Sequence, residues 1–357
     1  MMYFSNTFKN LTIFNAFLPK KSIFLLKILL FIINYKTNKE LNMNKLKKVG
    51  LTALAGSLVA TSVVAGDFSV SGSASLTYTS QGGDAGGAQS SGNSWTMGDS
   101  LTFSGGGDLD NGMAISMSFE LDDDDSTGFD DHSMTLTLND DMGSITFSGH
   151  GGSGGAAAKD DVMPYAYNEV WDGLQAGGSH GLAGSGVNGN NSFRYQGTWA
   201  GFAIDAMYTN DGSTTHSDSS MAVEYSDLMD GLTIGYAQAD DGGTSDDSTM
   251  YVKYTMGGLT IGAQASEVNF DAAASTDEEA LVLAATFAVN ENLTVGFAQM
   301  DVEFDSSTLV DQEDSGFGVS YTMGSITIGG DVKQRDNVSG SSGKNNENTE
   351  LNIAFAF

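Results

Sequence analysis

From Asp67 onward, apolar side chains recur at every second position, and this period of two restricts the chain to extended strands with two unlike faces. In the last eight residues, Glu350 to Phe357, the positions Leu351, Ile353, Phe355 and Phe357 alternate with Asn352, Ala354 and Ala356. The same alternation runs through Phe68 to Tyr78, Met113 to Leu121, Met134 to Leu138, Leu281 to Phe287 and Phe317 to Tyr321. A soluble sheet would turn the oily face to a core. A membrane barrel turns it outward to lipid and favours aromatics where strands meet the headgroups.

The connections also alternate. Seven are short and rich in Gly, Asp and Asn: Asp110 to Gly112, Asn139 to Gly143, Ala200-Gly201, Asp230-Gly231, Gly257-Gly258, Asn290 to Asn292, and Gly324-Ser325. Such residues supply the positive φ of tight hairpins. Eight are long, acidic and rich in Gly and Ser: 80–94, 122–131, 149–191, 210–219, 239–248, 267–279, 301–314 and 335–348. Seven short turns and eight long loops join sixteen strands, with both chain ends on the short-turn side. The expected fold is all-β, a transmembrane antiparallel up-and-down barrel of about sixteen strands. A Leu-Thr-Ile-Gly pattern opens several upward strands, at Leu232 to Gly235, Leu259 to Gly262, Leu293 to Gly296 (with Val295) and Ile326 to Gly329 (as Ile-Thr-Ile-Gly). It fits strands that meet the same problem at the same height, not a solenoid.

Ahead of the strands, Met43 to Gly66 reads as a secretory signal. Lys45, Lys47 and Lys48 precede the apolar and small-residue stretch Val49 to Val64, and cleavage sites lie at Val63-Val64-Ala65 and Val64-Ala65-Gly66. Ile23 to Ile33 is too short to span a bilayer, so residues 1–42 read as a mistaken upstream extension or a disordered segment, with 67–357 as the barrel. No stretch after residue 66 is long enough for a membrane helix, and a closed sheet is the other way to satisfy backbone groups in lipid.

Charge narrows the function. The formal net charge is −30. Nine of the fifteen basic residues precede Asp67 with one acid, Glu40, which leaves six bases against 44 acids in the barrel region. Nucleic acid is excluded as a partner, because such a surface repels phosphates. The absence of Cys excludes disulfides and thiolate metal sites.

The signal, the hairpin rhythm, the terminal Phe357 and one outsized third loop together resemble the general diffusion porins of Gram-negative bacteria, most of all the alphaproteobacterial type. The resemblance covers about 67–357. It implies an outer-membrane barrel, a homotrimer surrounded by outer-membrane lipid, a water-filled lumen for ions and small hydrophilic solutes, and a third loop folded inward to narrow the pore. It also implies that Phe355 and Phe357 belong to the signal read by the barrel-assembly machinery. The third loop, 149–191, opens with a flexible Gly-rich run and carries Pro164, Tyr165, Tyr167 and Trp171, which suit a loop packed on a wall. It holds Lys159 and the acids Asp160, Asp161, Glu169 and Asp172. By alternation Arg194, Lys253, Lys333 and Arg335 point to the lumen, as lipid-facing bases are costly. The expected constriction therefore sets a basic wall against an acidic loop, as the family does. Glu120, Asp205 and Glu224 share the inward parity, and the overall acidity favours cations.

Other motifs carry no readable chemistry. Gly184 to Gly189 matches a dinucleotide pattern without a strand–helix crossover. Asp122 to Asp125 with Gly128 has the start of a calcium loop, but Met134 stands where the bidentate Glu belongs. Loose calcium binding by external Asp is the one cofactor expectation. His132, His150, His180 and His216 fall in loops or at strand ends without a nucleophile and acid at readable spacing. The rivals are an outer-membrane hydrolase with a converging Ser/His/acid set, and a plugged barrel or acidic surface-layer protein.

Overall fold

The computed structural model describes residues 67–83, 94–122, 131–174, 189–210, 217–272 and 275–357. The expected signal at 43–66, the segment 1–42, Asp123 to Asp125, Gly184 to Asn188, His180 and His216 lie outside the described residues. Sixteen strands follow in order: β1 (Asp67–Gly83), β2 (Ser94–Asp108), β3 (Ala114–Asp122), β4 (His132–Thr137), β5 (Ser144–His150), β6 (Ser192–Trp199), β7 (Phe202–Asn210) and β8 (Ser217–Tyr225). The second half comprises β9 (Leu232–Asp241), β10 (Ser245–Met256), β11 (Leu259–Phe270), β12 (Glu278–Ala288), β13 (Leu293–Phe304), β14 (Gln312–Met323), β15 (Ile326–Asp336) and β16 (Asn346–Ala356). Each strand pairs antiparallel with its sequence neighbours, and β1 pairs with β16 to close the barrel. Closure leaves no sheet edge exposed to lipid.

Alternation decides the faces. Phe68, Met97, Met117, Phe147, Phe193, Phe297, Phe317 and Phe355 are among the exposed apolar side chains of the outer surface. Aromatics collect beside the short turns. Trp199 and Phe202 flank Ala200-Gly201, Phe202 stacks on Tyr225 with centroids 4.6 Å apart, and Phe287 and Tyr321 lie near the next turns. That row forms one girdle, and Tyr78 against Trp95, at 5.1 Å, belongs to the opposite end. At Ala200-Gly201 both residues have positive φ, +51° and +85°, as a two-residue hairpin with the proper twist requires.

The fifth long loop does not exist as expected. Only Gly242, Gly243 and Thr244 separate β9 from β10, and the pairs Asp240–Asp246 and Ala239–Asp247 continue the ladder. The acidic composition of 239–248 imitates a loop, but polar side chains are compatible with a strand that rises beyond the hydrocarbon into water.

Phe357 locks the seam. Its N–H donates to the Gly72 carbonyl at 2.9 Å, its own carbonyl accepts from Gly72 N–H at 2.8 Å, and its ring stacks on Phe355. A Cβ on Gly72 would lie 2.6 Å from the Phe357 ring, so a larger residue there would push the ring from its place. Deleting Phe357 is expected to lower the amount of folded, heat-modifiable protein in outer membranes. An unchanged amount would show that the closing strand needs no such lock.

Candidate functional site: the constriction

The third loop turns into the barrel. It leaves β5 through Gly151 to Gly155, whose bends place Gly155 N–H 3.0 Å from Asp205 Oδ1 on β7. It then crosses a 3₁₀ turn, Ala157–Lys159, and runs along the inner wall. Ala156 packs with Ala222, Ala237 and Ala239 of β8 and β9. Met163, Val170 and Trp171 form a core with Ala280, Val282, Ala298, Met300 and Val302 of β12 and β13. Gln264 of β11 donates to the Lys159 carbonyl at 2.7 Å, and Gln81 of β1 donates to the Gly173 carbonyl at 3.0 Å. Tyr167 donates to Glu350 of β16. The loop thus lines the wall from β8 round to β1.

Small inward residues make room for it. A Cβ on Gly262 would lie 2.6 Å from Pro164 Cδ, and one on Gly296 would lie 2.7 Å from Ala166 N. On Gly329 it would enter the Tyr167 ring. These glycines close three of the four Leu-Thr-Ile-Gly repeats. The repeat therefore records a docking ledge for the loop as well as a common hairpin height.

The predicted bases all have inward parity, but they do not form a wall opposite the loop. Lys333 lies buried against the loop: its Nζ donates to the Glu169 carbonyl at 3.2 Å and sits 2.9 Å from Asp331. Arg335 grips Asp314 with two bonds, Nε to Oδ1 at 2.7 Å and a terminal nitrogen to Oδ2 at 2.6 Å, both side chains fully buried. Arg194 is bound to Asp205, 2.9 Å from Nε to Oδ1. Lys253 lies 5.7 Å over the Tyr251 ring, and Tyr251 in turn donates to Glu224. Lys159 approaches Glu224 at 3.7 Å. Isolated bases desolvated beneath a loop are costly, so wall carboxylates neutralise them. Asp314 and Asp331 were not among the expected residues, because only the strand register shows that Arg335 and Asp314 are direct partners.

The loop acids stay together instead. Asp160, Glu169 and Asp172 are half-buried, and Asp161 is exposed. Burial, then the Asp161 carboxylate, pushes the Asp160 pKa up to about 6. Partial desolvation beside its neighbours also raises Asp161, helped by the Asp172 charge. Glu169 is pushed up to about 9, first by burial, then by a hydrogen bond with Asp172 and the charges of Asp161, Asp172 and Asp160. Asp160, Asp161 and Glu169 are thus shifted the same way, because like charges repel in a confined site.

Among the described residues no group of three or more His, Cys, Asp or Glu is spaced to hold a metal ion. Met134 points outward on β4. His150 Nδ1 lies 3.4 Å from Asp131 at the loop end of β5.

A closed sixteen-strand barrel with lipid-facing aromatics and a loop folded across its lumen defines a membrane channel of the porin class. The sequence profile of Gram-negative porins matches residues 50–357, and the chain belongs to that family. Its place is the outer membrane of a Gram-negative bacterium. The barrel is similar to a double mutant of Rh. blastica porin (16% identity, TM-score 0.56, covering 81% of this chain and all of that one). It is also similar to the anion-selective porin of Comamonas acidovorans (15% identity, TM-score 0.61, 82% of this chain and all of that one). Outer-membrane expressed OmpT of Vibrio cholerae shares the fold too (14% identity, TM-score 0.63, 84% of this chain and all of that one). No match emerged among curated protein sequences.

Proposed function

We propose that this porin passes ions and small hydrophilic solutes passively and prefers cations. One observation carries the preference. Arg194, Lys333 and Arg335 are held by wall acids, and Lys159 lies beside Glu224, whereas Asp160, Asp161, Glu169 and Asp172 repel one another on the loop. The constriction then presents net negative charge, and a narrow low-dielectric passage concentrates counter-ions. The Comamonas protein is described as anion-selective, so a shared barrel leaves selectivity to the lining residues. The same reading makes the working unit a homotrimer in outer-membrane lipid, with Phe355 and Phe357 as the assembly signal.

The pKa directions give a pH test. Asp160 is ionised above about 6, so its charge, and part of the cation preference, should fade as pH drops through that value. Glu169 is mostly protonated at neutral pH and should add charge only as pH rises through about 9. Both pKa values exceed those of an unfolded chain, so protonation favours the docked loop and ionisation opposes it. The double variant Asp160→Asn/Asp161→Asn should weaken cation preference at neutral pH and flatten its change near pH 6. A preference equal to the parent's at every pH would remove these carboxylates from the pore.

A further inference from the structure

The inner wall is divided into two unlike halves. On β10 to β13 inward positions such as Tyr251, Gln264, Val282 and Met300 are buried under the third loop. On β1 to β5 the inward positions are half-exposed to the lumen, and most are Ser or Thr. Ser73, Ser100, Ser118, Ser133 and Thr146 mark the five strands in turn. Hydroxyls pair across strands, Ser73 with Ser100 at 3.1 Å and Thr135 with Thr146 at 2.8 Å. These five strands contain no Lys or Arg, because the first base after Asp67 is Lys159. Glu120 and Asp122 are inward acids near the loop end of this half.

The open passage therefore has a carboxylate loop on one side and a neutral hydroxyl surface on the other. We propose that the hydroxyl wall of β1 to β5 is a specificity determinant that makes the constriction one-sided, favouring small organic cations, amines and quaternary ammonium ions, over anions and zwitterions of equal size. The proposal rests on the cation-preferring reading above and names its solute class. An ammonium group meets loop carboxylates on one side and hydroxyl oxygens on the other, and both attract it. An anion is repelled by the loop and finds no Lys or Arg on the far wall, where hydroxyls are its donors and Glu120 and Asp122 add to the repulsion. A zwitterion gains little, because no base stands across from the loop to hold its carboxylate.

The lack of native Cys allows a test after folding. Ser75→Cys/Ser118→Cys barrels, refolded and inserted in bilayers, would be treated with a trimethylammonium methanethiosulfonate or with neutral methyl methanethiosulfonate. The readout is the permeability of choline relative to gluconate. The unmodified barrel should favour choline. The cationic adduct should cut the ratio by about fivefold at low salt, where the added charges act across the passage, and the neutral adduct should leave it nearly unchanged. Equal ratios for the two adducts, or thiols that do not react, would overturn the wall's role while leaving the cation preference intact. A parent barrel that favours gluconate would sink the cation reading as well.

Discussion

Deleting residues 156–174 while keeping the flanking glycines should raise single-channel conductance severalfold and admit sugars that the parent excludes. The segment occupies the lumen from β8 to β1, and conductance follows the open cross-section of the narrowest passage. The wall it uncovers is partly apolar, with Val282, Met300 and Val302, so some loss of barrel yield accompanies the gain. Gly329→Leu offers a route without deletion. Its side chain would take the place of the Tyr167 ring and push that part of the loop off the wall, with a smaller rise in conductance. Constant conductance in both variants would mean that the loop does not set the passage.

The second large effect concerns stability. Arg335→Met should destabilise the refolded barrel by ~3–5 kcal/mol, because it strands the fully buried Asp314 carboxylate. The double variant Arg335→Met/Asp314→Leu should recover most of that loss, since replacing both partners of a buried pair by apolar groups of similar size costs far less than breaking it. Unfolding in urea of the three proteins would show the pattern. A single variant no weaker than the double one would mean that Asp314 finds another partner or water.

Much of the architecture was legible because lipid imposes simple rules. Lys and Arg are costly on the lipid face, so the inward parity of Arg194, Lys253, Lys333 and Arg335 follows from their apolar neighbours. Turn chemistry at Gly112, Gly143, Gly201 and Gly324, each with positive φ, marked the hairpins and hence the strand count. The loop's inward course was visible in Tyr165, Tyr167 and Trp171. What composition could not supply was register and position around the ring. Which acid neutralises Arg335 depends on the β14–β15 pairing, and which wall faces the loop depends on where 156–174 docks. The docking signal was present as the glycines of the Leu-Thr-Ile-Gly repeats, but a glycine in a strand has several causes, and only the packed Pro164, Ala166 and Tyr167 identify this one. The acids around Gly242-Gly243 misled for the opposite reason, since a strand in water and a loop have the same composition.

The most direct measurement is single-channel recording of the refolded 67–357 chain across a KCl gradient at neutral pH. The account predicts discrete, steady conductance steps and a reversal potential of the sign for potassium preference, which shrinks as pH falls through about 6. A silent membrane, or a potential of the sign for chloride preference, would contradict it.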